Sequence, residues 1–582
     1  MTAYEVEHVA FSAEDVACWA DSDPRLRNWP VVYTLDDRSS VYVGETHNVA
    51  ARFRQHLDSV EKSALSRGRV IIDDTFNKSA CLDLESFLIR MFAGDGQMAV
   101  LNRNSGMVDA DYYQREEYQK RFNEIFEGLR DEGFFVRTAR EIENTDLFKL
   151  SPFKALTSDQ AIAVENILDG LFEDLARGTS GTTLIEGGPG TGKTIVAIYL
   201  IKLLVDIRDA GRLEQAPDGD SLFSDYFTEG YPELLADFRL GLVVPQQSLR
   251  KSVQKVFDKT PGLDPEMVLS PFEVGEAEEP FDLLIVDETH RLNHRANQPS
   301  GMKNRQFAEI NHELFGSDGD AYTQLDWILT QSKNRVLLLD NGQTVRPSDI
   351  PPDVLSARLS QEPNRQHMTL TSQLRVDAGE DYIGYVRSLL SNDLPEPRSF
   401  ERYEFAMFDE LGDMVRAIQE RDMDSGLARL VAGYAWKWLS KKDKSAHDIV
   451  VGDVRLRWNS SELDWVNSAK STTEVGSIHT IQGYDLNYAG VIVGPDLRWD
   501  VEKERLVFDR AHYFDTKGME NNNRLGIRYT DDDILEYVRN IYSVLMTRGI
   551  RGTFVYVCNP ALRERWAKLI PPAAPATPRA GA

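Results

Sequence analysis

A chain of 582 residues exceeds what one core organises, so three or four domains are expected; its 42% hydrophobic and 27% charged content is that of a globular protein. Three widely spaced cysteines, Cys18, Cys81 and Cys558, offer neither a disulfide framework nor a zinc ladder, which fits a reducing, cytoplasmic setting. A net charge of −27 argues against a broad basic surface for duplex nucleic acid and confines any phosphate binding to a groove.

The first residues lack the basic patch and apolar core of a signal peptide. Val31–Leu35 and Val41–Gly44 read as short strands around a polar turn, Asp36–Ser40. Asn48 is placed to cap a helix; a third strand is expected at Arg69–Ile72 and a second helix near Ser79–Phe92. At 100° per residue, Cys81, Leu82, Leu88, Ile89 and Phe92 fall within about 60° of Glu85, while Asp83, Ser86 and Arg90 take the other side. A carboxylate on an apolar stripe is costly, so Glu85 needs a divalent cation or a buried partner such as Arg52.

These residues carry a resemblance. Val31-Val-Tyr33 and Tyr42-Val-Gly44, followed by Arg52, His56, Glu85 and Asn102, resemble the GIY-YIG nucleases, with Val-Val-Tyr for Gly-Ile-Tyr and Tyr-Val-Gly for Tyr-Ile-Gly. The resemblance makes Arg52 the catalytic arginine, Glu85 the metal-binding glutamate and Asn102 the closing asparagine. It implies one-metal phosphodiester hydrolysis. Glu85 would hold Mg²⁺ or Mn²⁺, Arg52 would stabilise the pentavalent phosphate, and Tyr33 and Tyr42 would orient or deprotonate water. An ordinary tyrosine, with a pKa of about 10, is a poor base at neutral pH, so metal or arginine would have to lower it. His56, one turn after Arg52, reads as a base, a phosphate contact or a packing residue.

Residues 105–150 are charged and helix-prone and read as a connector. From Leu156 strands and helices alternate, as in doubly wound α/β domains. Gly187-Gly188-Pro189-Gly190-Thr191-Gly192-Lys193-Thr194 follows an apolar strand, Thr183–Ile185, and opens an apolar helix. That is the setting of a phosphate loop: glycines let backbone N–H groups curl around the phosphates, and the helix N-terminus adds positive potential. Lys193 would reach the β- and γ-phosphates and Thr194 would ligate Mg²⁺. The helix, Ile195–Val205, is the most apolar stretch of the chain, but Lys202 interrupts it and it is too short to span a bilayer. Phe281–Val286 is a buried-type strand ending in Asp287, for the Mg²⁺ shell, and Glu288, for the attacking water. The acid-rich stretches Asp206–Asp237 and Glu273–Glu279 lie outside these motifs.

A phosphate loop alone does not separate a kinase, a GTPase and a motor. Further segments resemble the ordered motifs of superfamily 1 helicases. Leu156–Gln160 is similar to motif Q, Val243–Leu249 to Ia, Leu337–Gln343 to III, Ser372–Arg375 to IV, Gly476–Gly494 to V and Val544–Gly549 to VI. The wording of Gln482-Gly483 and Val491–Leu497 resembles the Schlafen-type helicase domain, with Asp485 where Glu is usual and Gly549 where Ala is usual. The resemblance implies that Gln160 reads adenine, Gln343 senses the γ-phosphate and Arg548 is the arginine finger. An arginine from a second lobe stabilises the charge spread over the γ-phosphoryl group and couples hydrolysis to cleft closure; Arg375 and Arg548 lie far enough downstream for that part.

The fold expected is α/β: a GIY-YIG-like nuclease domain over 1–104, a connector over 105–150, RecA-like lobes over 151–350 and 351–570, and a disordered Pro/Ala-rich tail over 571–582. The function expected is an ATP- and Mg²⁺-dependent translocase or helicase fused to an endonuclease. Its partner would be nucleic acid, DNA rather than RNA, with no membrane, in defence against foreign DNA or in repair. Two alternatives stay open: a nucleic-acid-stimulated ATPase whose N-terminal module binds without cutting, and a signalling NTPase that uses no nucleic acid.

Overall fold

The computed structural model describes residues 4–573 except 60–61, 63, 104–110, 211–221, 297, 299, 341, 374, 377, 393–394, 462–463 and 482–483. Asn104, Gln482, Gly483 and residues 574–582 of the tail therefore lie outside the described residues, whereas Pro571–Ala573, expected to be disordered, are held by backbone hydrogen bonds with Met407. The chain forms two compact units, one of Met1–Phe172, Ile195–Asp237 and Val253–Met267, the other of Glu173–Thr194, Phe238–Ser252 and Val268–Ala582. Among the described residues no helix is long and apolar enough to cross a membrane.

The first unit is built on a five-stranded sheet of order β1-β4-β2-β3-β5: β1 (Tyr4–Ala10), β2 (Val31–Asp36), β3 (Ser40–Thr46), β4 (Arg67–Asp73) and β5 (Ala99–Val100). All pairs are antiparallel except β3 with β5. The strand period of two sends Val32, Val41, Val43 and Ile71 to one face and Val31, Tyr33, Leu35, Val70 and Ile72 to the other. Val49–Leu57 covers the second face, its N-terminus capped by the Asn48 side chain on Ala51 N at 2.9 Å. Lys78–Asp95 covers the first, capped by Asn77 on Ala80 N at 3.0 Å and ended by Gly96 with φ 64°.

Two features of this unit depart from the sequence reading. β1, too polar to stand out, pairs along the edge of β4. The supposed connector holds the helix Arg115–Asp131, whose Tyr118, Phe122, Ile125, Phe126 and Leu129 recur at helical spacing and join the core of the Lys78–Asp95 face. Burial of that stripe makes it part of the unit rather than a tether.

The second unit holds two mainly parallel sheets, so the chain is mixed α/β as expected. The first has the order β11-β6-β10-β9-β7-β8, all parallel: β6 (Thr182–Gly187), β7 (Leu240–Val243), β8 (Val268–Leu269), β9 (Phe281–Val286), β10 (Ser332–Leu339) and β11 (Arg365–Leu370). The second has the order β12-β20-β17-β13-β16-β15-β14 and is parallel except for β14 with β15: β12 (Glu404–Met407), β13 (Ala428–Ala432), β14 (Ile449–Val451), β15 (Val454–Trp458), β16 (Glu474–Ser477), β17 (Leu486–Val493) and β20 (Gly549–Val557). A hairpin, β18 (Leu497–Asp500) with β19 (Arg505–Phe508), stands apart. Residues 351–370 were expected to open the second lobe. Instead Leu355 and Leu359 pack in the core of the first sheet, and β11 pairs with β6, so this stretch completes the first lobe.

Candidate functional site

The phosphate loop leaves the C-terminal end of β6 and turns into the helix Lys193–Ala210. Gly190 (φ 86°) and Gly192 (φ 79°) take left-handed backbone that disfavours other residues. A Cβ on Gly190 would also collide with the Gln373 amide and come within 2.7 Å of Arg375 Cβ. Lys193 Nζ donates to the carbonyls of Gly187 (2.8 Å) and Gly188 (2.9 Å) and sits 3.6 Å from Asp340 Oδ2. Gly188, Pro189 and Thr191 complete the turn; Gln373 Nε2 donates to Pro189 O at 2.5 Å.

Most of the other motif residues converge on this loop because β9, β10 and β11 of the same parallel sheet end beside it. Thr194 Oγ1 donates to Asp287 Oδ2 at 2.7 Å, just past β9. Glu288 follows with a left-handed backbone (φ 50°), and His290 Nε2 lies 2.8 Å from its Oε2. The Asp340 N–H, at the end of β10, donates to His290 Nδ1 at 3.2 Å, which fixes the ring hydrogen on Nε2, toward Glu288. Gln343 Nε2 donates to Asp340 Oδ2 at 2.6 Å, and Arg548 Nη2 donates to Gln343 Oε1 at 3.2 Å. Arg375 pairs through Nε with Asp485. It follows β11 and so reaches the loop from the first sheet itself; only Arg548, just ahead of β20, comes from the second, which corrects the expectation that both arginines cross from the far lobe.

Charges here are set by burial. Burial, then the Glu288 carboxylate beside it, pushes Asp287 above the usual carboxylate range. Burial acts on Glu288 too, but His290, with Lys193 and Arg548, outweighs it and holds that acid well below the range. Arg548, 1% exposed, is lowered to about 10 by burial and by Arg375, against the pull of Asp485, Glu288 and Asp340. The donor set fits a Mg²⁺-bound triphosphate. Thr194 and Asp287 are adjacent, and among the described residues Arg375 Nη1 and Arg548 Nε are buried with no hydrogen-bond partner, as donors kept for an anion would be. Gln160, 1% exposed, accepts from Thr157 N at 3.1 Å and so caps its own helix.

Sequence reasoning missed His290, Gln373 and the structural parts of Asp340 and Asp485. His290 stands two residues past Glu288 and could have been found only by knowing that the chain turns there in a short 3-10 segment, Thr289–Arg291.

In the first unit Tyr33 faces Gly44 across β2 and β3, and its Oη lies 2.7 Å from His56 Nε2. Lys62 Nζ donates to His56 Nδ1 at 3.0 Å, so the ring hydrogen sits on Nε2 and points at Tyr33. Arg52 Nε donates to Tyr33 Oη at 3.4 Å and Nη1 to Gln55 at 2.8 Å. Asn102 imitates a strand peptide, accepting from Val43 N (3.0 Å) and donating to Val43 O (2.7 Å).

Burial drives Tyr33 well up, helped by Tyr42, and drives Tyr42 to about 12, helped by Glu85; the lowering by Arg52 does not overcome it. Neither tyrosine is thus tuned as a base. Burial, Lys62 and Arg52 take His56 down to about 2, which leaves it neutral. Burial and Glu45 raise Glu85 to about 8 against Lys78 and Arg52. Its helix face is less regular than expected: Leu82 is exposed and Ser86 is buried. Glu85 makes no ion pair with Arg52, and the described residues contain no group of three or more metal-ligating side chains.

A family model described as "Schlafen group 3, DNA/RNA helicase domain" matches residues 180–559. An uncharacterized protein of Saccharomyces cerevisiae is 24% identical over 474 residues, covering 74% of this chain and 94% of its own. A chain from a structure of two coordinating Pif1 helicases at forked duplex DNA overlaps 69% of this chain and 92% of itself, at 10% identity and a TM-score of 0.25, a likeness too slight to carry a fold. The family model spans well over half of the chain and takes in the phosphate loop, Asp287, Glu288, Gln343, Arg375 and Arg548, so the chain belongs to the Schlafen group 3 DNA/RNA helicase domain family.

Proposed function

We propose that the chain is an ATP-driven translocase on nucleic acid, DNA before RNA, with an N-terminal GIY-YIG-like nuclease module. The motor half rests on one observation above others: Lys193, Asp287, Glu288, Gln343, Arg375 and Arg548 converge on one phosphate loop, with one of the two arginines coming from the second sheet. Mg²⁺, held by Thr194 and Asp287, would neutralise charge on the terminal phosphates. Lys193 would bind those phosphates, Glu288 would polarise the attacking water, and Arg375 and Arg548, each with a buried unpartnered nitrogen, would stabilise the charge that develops. Because Arg548 precedes a strand of the other sheet, hydrolysis is felt by both lobes, which a strand-walking motor needs. Steady-state ATPase with and without single-stranded DNA and RNA, with Lys193→Ala as blank, tests this. Equal rates with and without both strands would favour a signalling NTPase.

For the N-terminal module, the grouping of Tyr33, Arg52 and His56 supports the nuclease reading, with Glu85 close enough to act on both tyrosines. In that reading Arg52 neutralises the scissile phosphate and Glu85 holds Mg²⁺ or Mn²⁺. Neutral His56 keeps Tyr33 oriented, and the tyrosines position water rather than deprotonate it. The upward shift of both tyrosines also favours a second reading, a module that binds nucleic acid without cutting it. Nicking of plasmid by the wild type and not by Glu85→Gln selects the first; no nicking by either selects the second.

A further inference from the structure

The loop between β13 and β14, residues 433–448, is where an acidic chain turns locally basic. The chain carries 93 acidic against 66 basic residues, yet residues 434–444 hold four lysines, three aromatic rings and a single acid. Lys437, Lys441, Lys442 and Lys444 are all exposed. Among the described residues Lys437, Lys442 and Lys444 form no ion pair, and the one acid of the run, Asp443, turns to Ser445 N (2.9 Å) and Oγ (2.6 Å). The next acid, Asp448, is buried on Ser440. Among the described residues the charge of Lys437, Lys442 and Lys444 is therefore uncompensated.

The rings stand among these charges. Lys441 Nζ lies 4.8 Å from the centroid of Trp438, and Lys437 Nζ lies 5.6 Å from that of Phe514. Both rings are half-buried, anchored yet with surface left in solvent. The loop leaves the C-terminal end of β13, whose parallel neighbours are β16 and β17. Phe514 N donates to Tyr434 O at 2.8 Å, and the Tyr434 ring lies 5.4 Å from the ring of His479, in the segment that resembles motif V. The carboxyl ends of parallel strands are where open α/β sheets take their ligands.

We propose that this loop is a docking surface for single-stranded nucleic acid. The lysines take successive phosphates, and Trp438 and Phe514 offer faces on which bases stack, the pairing by which strands are held without sequence preference. A single strand suits it better than a duplex, because rings fixed beside a charged track need unpaired bases. The proposal rests on the motor reading and adds a contact that the motifs do not contain.

The test uses the full chain and labelled oligo-dT and oligo-U, with Kd read by anisotropy across a salt series. The variants are Lys437→Gln/Lys442→Gln/Lys444→Gln, the same triple to Arg, and Trp438→Ala. The Gln triple is expected to weaken binding about tenfold or more and to flatten the salt dependence by about two, at roughly 0.7 per neutralised contact. The Arg triple is expected to bind as the wild type does. Trp438→Ala is expected to lose affinity for the oligomers but not for an abasic strand. A Gln triple with unchanged Kd and slope, beside a wild type that binds, overturns the loop alone. A wild type that binds neither strand overturns the motor reading and the loop together.

Discussion

Arg548 donates to the Gln343 side chain across 3.2 Å, although 205 positions separate the two residues. Gln343 is held by Asp340, whose carboxylate also faces the Lys193 ammonium at 3.6 Å. A run of polar contacts thus leads from the phosphate loop to the strand of the second sheet that Arg548 precedes. Arg548→Ala is expected to lower the ATPase kcat about 10³-fold. Arg548→Lys should recover little, since an ammonium cannot reproduce the planar fork. Gln343→Ala costs less, and the double variant should lose less than the sum of the two, because they act through one contact. ATPase of Arg548→Ala within about tenfold of the wild type would rule out its assignment to the transition state.

His290 is expected to be a positioning residue for Glu288. Its Nε2 lies 2.8 Å from the carboxylate and, with Lys193 and Arg548, holds that acid ionised. His290→Asn should reduce kcat about 10- to 100-fold, the range seen for partners that orient a working group, with little change in KM for ATP. The more telling readout is the acid limb of the kcat–pH profile. Loss of the partner raises the Glu288 pKa, so activity should fail at a higher pH in the variant on acidification. Superimposable profiles would reduce His290 to packing.

Asp496 lies buried just past the end of β17, with Oδ1 accepting from Tyr542 Oη at 2.6 Å and Oδ2 without a partner. Burial raises it to about 7, against the lowering by Tyr542. The folded pKa exceeds the unfolded one, so the folded state binds the extra proton. Its stability contribution is full below about pH 4 and is lost as pH rises through about 7. Thermal melts between pH 4 and 8 should show this fall in the wild type and a flatter profile for Asp496→Asn. Parallel profiles would contradict it.

Gly44 is expected to be irreplaceable for packing reasons. A Cβ there would run into the Tyr33 hydroxyl and ring, directly across the β2–β3 ladder. Gly44→Ala should cost about 1–3 kcal/mol by overpacking and break the Tyr33–His56 contact. If the module cuts, nicking should fall with it; a variant that melts and nicks like the wild type would show that Tyr33 has room to move.

Local chemistry is what the sequence by itself determined. The strand–glycine turn–helix around Lys193, the Asn48 and Asn77 caps, and the period-two strands β2 and β3 each depend on neighbours within a few positions, so spacing and side-chain type suffice to read them. The tertiary structure decided which residues share a pocket and what charge they bear. β11 joins the first sheet through its pairing with β6, which no local signal encodes, and carries Arg375 to the near side of the loop. His290, Asp340 and Asp485 become partners only when separate strand ends converge. The rise of Tyr33 and Tyr42 is likewise a product of burial, and burial is a sum over distant parts of the chain that no short window of sequence contains.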